Sequence, residues 1–187
     1  MRLKRIALFV LALLNIGVVA GQDSIDYQDR SLLRNLAKNN VHKDLQHLPV
    51  PEAVSDQYSY HGKFFKSHHS ENVSQVKYIY VGRVNSCRAG GCSSPGMGSS
   101  AGKSEYFDYF ILFNVEKEVE LVRVFNYQAT HGYEVTARGW LRQFEGYDGS
   151  KNLEVNKNID GITGATISVE AITRDVEKVN DILRAMD

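Results

Sequence analysis

Cysteine is scarce in this chain, with two among 187 residues. Two thiolates are too few to hold an iron–sulfur cluster alone, and no Cys-x-x-Cys-His is present to attach haem. An excess of one charge is also missing. Lysine and arginine total 22, aspartate and glutamate total 22, and the formal net charge is zero. Both signs are well mixed, and no basic stripe is interleaved with aromatics. The electrostatic footprint of a nucleic-acid-binding protein is therefore absent. The sequence has no glycine fingerprint for a nicotinamide cofactor, no recognisable acid–base pair and no internal repeat. Its two adjacent histidines, His68 and His69 in "KSHHS", would point to opposite faces of an extended segment, which makes them poor joint metal ligands. They read as surface residues. What remains is ordinary in composition, 43% hydrophobic and 24% charged, and long enough for one cored domain with an appended segment.

The first twenty residues differ from the rest. Arg2, Lys4 and Arg5 precede the apolar run "IALFVLALLNIGVVA", which ends in the small residues Val18 and Ala20 before Gly21. This pattern predicts a signal peptide over residues 1–20, cleaved after Ala20, and an exported, periplasmic or cell-envelope protein. The alternative is an uncleaved N-terminal membrane anchor, since the run is nearly long enough to span a bilayer. No cysteine sits at the boundary, so a lipoprotein signal is not indicated. Export bears on Cys87 and Cys92, which lie in "NSCRAGGCSSPG". In an oxidising compartment a disulfide between them is the default, and a loop so short would contribute roughly 2 kcal/mol. The alternative is a redox-active pair.

Residues 21–59 form a polar lead-in with one predicted helix. Its stripe is Leu32, Leu33, Leu36, Ala37, Val41 and Leu45, and it ends before Pro49 and Pro51. Strand-like runs follow at "VKYIYVGRV", "YFDYFILFNV" and "VELVRVFNY". The last two flank Glu116-Lys117-Glu118, a hairpin candidate without the usual Gly or Asn in its turn. In "QATHGYEVTARGWLRQFEGY" the glycines Gly132, Gly139 and Gly146 interrupt helix and strand periodicity alike. Val169, Ile172, Val176, Val179 and Leu183 then keep helical spacing to the end of the chain. The fold class expected is α+β: an antiparallel-rich sheet with a C-terminal helix, plus the N-terminal helix.

Just before the final helix stands "DGITGATIS", Asp160 to Ser168. Its structural reading is a cap, with Thr166 or Ser168 as the N-cap residue. Its functional reading is an anion site. The first turn of a helix presents unpaired N–H groups, and Gly164-Ala165 leaves the approach open.

"DGITGAT" resembles the flavinylation motif of the FMN-binding domain, D-G-x-(S/T)-G-A-T. That domain is found in the C subunit of the sodium-translocating NADH:quinone reductase and the G subunit of the Rnf complex. The segment "YQATHGYEV" is similar to the strand–turn stretch where the family usually has E-T-P-G, with Ala129, Thr130 and His131 here preceding Gly132. "WLRQFEG" is similar to the stretch after it, and the resemblance extends over about residues 60–187.

The resemblance implies FMN held covalently through a phosphoester on Thr166, with Thr163, Gly164, Ala165, Asp160, His131 and Gly132 around the cofactor. It also implies a separate flavin transferase that uses FAD and a divalent metal. The function implied is electron transfer between envelope redox partners, a redox protein or a membrane redox complex. An alternative is a non-catalytic accessory or sensor module of such a complex. Asp160 would coordinate the transferase's metal or make an Asx-turn. Tyr133 and Trp140 would pack on the flavin ring or in the core. His131 is the candidate proton donor should the chain be an enzyme with its own substrate.

Overall fold

The computed structural model describes residues 24–68, 76–86 and 105–186. The segment expected to be a signal peptide, His69 and both cysteines, with their expected disulfide, lie outside the described residues.

Chain order runs α1 (Arg30–Lys38), β1 (Leu45–Leu48), α2 (Glu52–Ser55), β2 (Gly62–Ser67), β3 (Tyr78–Asn85), β4 (Tyr106–Phe113) and β5 (Val119–Tyr127). A 3₁₀ turn (Tyr133–Thr136), α3 (Arg138–Leu141), a second 3₁₀ turn (Arg142–Phe144) and α4 (Thr166–Ala185) complete it. Among the described residues, five strands form one antiparallel sheet in sequence order. The molecule is α+β, with a helix near each end of the chain.

The continuous apolar run of β4 is explained by burial on both sheet faces. Alternate side chains point opposite ways. Phe107, Tyr109, Ile111 and Phe113 join the core beneath α4, against Val169, Ile172, Val176, Val179 and Leu183. Phe110 and Leu112 face the other way and pack with Leu32, Leu36 and Val41 from α1 and its end. Asp108 shares that second face and is fully buried. It accepts from Arg83 at 2.6 and 2.9 Å and from Asn126 at 2.8 Å. The Arg83 guanidinium also lies 3.6 Å from the centroid of the Tyr106 ring. Under α4, Tyr109 Oη donates to Asp175 Oδ2 at 2.7 Å, and Lys178 pairs with the same carboxylate.

Two local features depart from the sequence expectation. The N-terminal helix is shorter than its apolar stripe. Asn40 takes φ 56°, and the N–H groups of Asn40 and Val41 return to the carbonyls of Ala37 and Leu36 at 3.1 and 2.9 Å. This is a Schellman stop, with asparagine tolerated in the left-handed position. Val41 still packs on Leu36, which is why the stripe continued past the helix, but Leu45 begins β1. Strands β1 and β2 pair at the sheet edge, although neither run was long or apolar enough to stand out. In the β4–β5 hairpin Lys117 adopts φ 65° in place of a glycine. Asn114 closes this turn by accepting the Glu118 N–H on Oδ1 at 2.9 Å.

Candidate functional site

Strand β3 ends, strand β5 ends and helix α4 begins at one end of the sheet. There Ser86, His131, Gly164, Ala165, Thr166, Ile167 and Ser168 line an open cleft of about 200 Å³. The motif turn and the His131–Gly132 turn, read separately from the sequence, are thus neighbours.

The local geometry decides what the hydroxyls of "TGATIS" do. Gly164 has φ 83°, a left-handed conformation that suits glycine, and a Cβ placed on it would meet nothing within 4 Å. The N-cap of α4 is Ala165, which makes no side-chain capping bond. Neither Thr166 nor Ser168 caps the helix, so the expected cap role is not taken. Thr166 is the first helical residue and is exposed. Ser168 is buried, and its Oγ lies 3.0 Å from Ser86 Oγ and 3.3 Å from Tyr127 Oη. The N–H groups of Thr166, Ile167 and Ser168 precede the first α-helical bond, donated by Val169 to the Ala165 carbonyl at 2.9 Å. No acceptor for those three comes from the described residues, and all three line the cleft.

The facing turn is held by one local contact and by contacts from distant parts of the chain. Tyr127 Oη donates to the His131 carbonyl at 2.5 Å. Gly132 has φ 88°, and a Cβ there would stand 2.7 Å from Ser168 Oγ. Glycine is required on both counts. The Glu105 carboxylate takes the Thr130 hydroxyl and, at 3.3 Å, its N–H. An acidic side chain from the start of β4 therefore holds a turn that has no glutamate of its own. Burial raises the Tyr127 phenol above its ordinary range.

Thr163 is exposed and does not line the cleft. Asp160 is held through its main chain. Its N–H donates to Gln143 at 2.7 Å and its carbonyl accepts from Trp140 Nε1 at 2.8 Å. Among the described residues no hydrogen bond of the Asx-turn type reaches its carboxylate. Trp140 also packs edge-on against Phe144 in the core, whereas Tyr133 is 67% exposed and edge-on to Tyr127. Sequence reasoning gave no role to Ser86, Tyr127 or Ile167, which lie within the quoted stretches but do not stand out from their neighbours there.

Residues 102–181 match the model of the FMN-binding domain family. That stretch resembles an FMN-binding domain. The matched span contains β4, β5, the His131–Gly132 turn, the "DGITGAT" motif and most of α4, in agreement with the resemblance read from that motif. A comparison with curated proteins gave no match. The residues present suit FMN. Uncapped helix N–H groups can receive the phosphate, glycine leaves the approach open, and a threonine hydroxyl is exposed beside both. When bound, the flavin supplies the redox chemistry, and the protein supplies position and electrostatics.

Proposed function

We propose that this chain is an exported electron-transfer protein carrying FMN covalently through a phosphoester on Thr166. The observation that carries the reading is the uncapped N-terminus of α4. Thr166 stands first in a twenty-residue helix whose cap residue, Ala165, has no polar side chain. A phosphodiester at Thr166 would be an anion beside unpaired N–H groups. The helix dipole would stabilise it by about 0.3–1 kcal/mol at an exposed site. The cleft, at about 200 Å³, is smaller than the roughly 300–1,000 Å³ that encloses a drug-sized ligand. A covalent tether compensates for that small enclosure and prevents loss of the cofactor outside the cytoplasm. Among the described residues, Tyr133 and Ile167, exposed next to the cleft, are apolar side chains available to an isoalloxazine ring. Attachment requires a flavin transferase, and the reduced flavin would pass electrons to a redox protein or membrane redox complex in the envelope.

The test is flavin fluorescence of the denatured mature protein in a gel, from cells with and without a co-expressed transferase. The expected result is a transferase-dependent band that is absent from Thr166→Val, with unchanged circular dichroism. A band that survives the substitution rejects Thr166 as the attachment site. Absence of a band from the folded wild type rejects the covalent reading.

A further inference from the structure

The cleft pairs a donor-rich wall with an acceptor on the facing strand end, and the protons of its hydroxyl cluster can be assigned one by one. Tyr127 has a single hydroxyl proton and donates it to the His131 carbonyl at 2.5 Å. Its 3.3 Å contact with Ser168 must then be donated by Ser168. That commits the Ser168 proton, so the 3.0 Å contact between Ser168 and Ser86 must be donated by Ser86. The chain therefore runs Ser86 to Ser168 to Tyr127 to the carbonyl of His131. Ser86 sits at its head with its proton used and no hydrogen bond received from the described residues. It is only 2% exposed, and it lines the cleft.

We propose that Ser86 accepts a hydrogen bond from a hydroxyl of the ligand's polyol chain, so that the cleft selects a polyol phosphate rather than phosphate alone. The inference rests on the reading that FMN is joined at Thr166. The division of labour follows from chemistry. The unpaired N–H groups at the start of α4 are donors, which match the phosphate oxygens. Beyond the phosphate-bearing methylene, the carbons of the FMN side chain carry hydroxyl groups, which need an acceptor, and Ser86 offers one with a fixed orientation. A buried acceptor discriminates against a ligand without the matching donor because it would otherwise stay unpaired.

Ser86→Ala is a clean test. Ser168 keeps Tyr127 as its acceptor in the variant, so no buried donor loses its partner. Wild type and variant would be flavinylated by the transferase, and covalent flavin would be counted after denaturation. Fluorescence anisotropy of the native protein would then be read per flavin. The expected result is equal covalent occupancy with lower anisotropy in Ser86→Ala, as the polyol chain and ring gain freedom about the tether. Equal anisotropy in the two proteins overturns the inference and leaves the Thr166 assignment standing. A folded variant that receives no flavin also overturns it, because Ser86 would then serve attachment. A wild type without covalent flavin rejects the Thr166 reading and this inference with it.

Discussion

Gly132 and Gly164 both sit at positive φ, yet they differ in what surrounds them, and this separates two kinds of constraint. At Gly164 only the backbone conformation matters, since the space beside it is open. Gly164→Ala is expected to cost about 1–2 kcal/mol, the penalty of a left-handed L-residue. At Gly132 the added methyl would also be forced to 2.7 Å from Ser168 Oγ. Gly132→Ala should cost more and should disturb the hydroxyl cluster as well. Urea midpoints of the two variants check the order, and equal losses would contradict it. Asp108 presents a different risk. It is buried against Arg83, whose side chain is itself only 9% exposed. Asp108→Ala should lose about 3–5 kcal/mol by removing the carboxylate that neutralises a buried cation, and Asp108→Asn should lose less.

The elements of this fold are stopped and started by particular side chains. Asp29 caps α1 by accepting the N–H groups of Ser31 and Leu32 at 2.6 and 3.4 Å. Asp29→Ala should destabilise the protein by about 1 kcal/mol. At the other end of α1, Asn40→Gly should stabilise it, because glycine enters the left-handed region without a Cβ penalty. Thermal melts of both variants would test the pair, and a shift of Asn40→Gly to lower temperature would contradict the Schellman assignment. The contrast with α4 is informative. Helix α1 has a side-chain cap and α4 has none, so the chain leaves undressed the helix start where an anion is proposed.

Across the whole molecule, tyrosines concentrate the response to alkali. Burial, reinforced by the Asp175 carboxylate, raises the phenols of Tyr80 and Tyr109. Burial first, and then Glu177, pushes Tyr147 up to about 12. In the unfolded chain these groups would ionise near pH 10. Below that pH both states hold the protons, and the stability that rests on neutral tyrosine is fully present. Above it the unfolded chain releases protons that the fold retains, so stability falls as pH rises through the folded values. An alkaline titration should show the last part of the phenolate absorbance, that of the buried tyrosines, rising together with the loss of far-ultraviolet circular dichroism above about pH 10. Ionisation of all ten tyrosines with the structure retained would contradict this.

Features that are local in the chain were legible in the sequence. Helix α4 could be read because its buried residues recur with the helical period. Strands β3, β4 and β5 could be read because their apolar runs are long and β-branched or aromatic. The "DGITGAT" motif stood out because its residues are contiguous, and it led to the FMN-binding domain. Tertiary structure decided the rest. The end of α1 depended on one asparagine in a left-handed conformation, and the apolar stripe carried no trace of it. Strand β2 exists because β3 offers it an edge to pair with, and β2 in turn offers one to β1. The role of Ser168 was open between helix cap and site residue until Ser86, 82 residues away in sequence, came to stand 3.0 Å from it. A hydroxyl's identity is written in the chain, but its hydrogen-bond partner is chosen by whichever strand end folds against it.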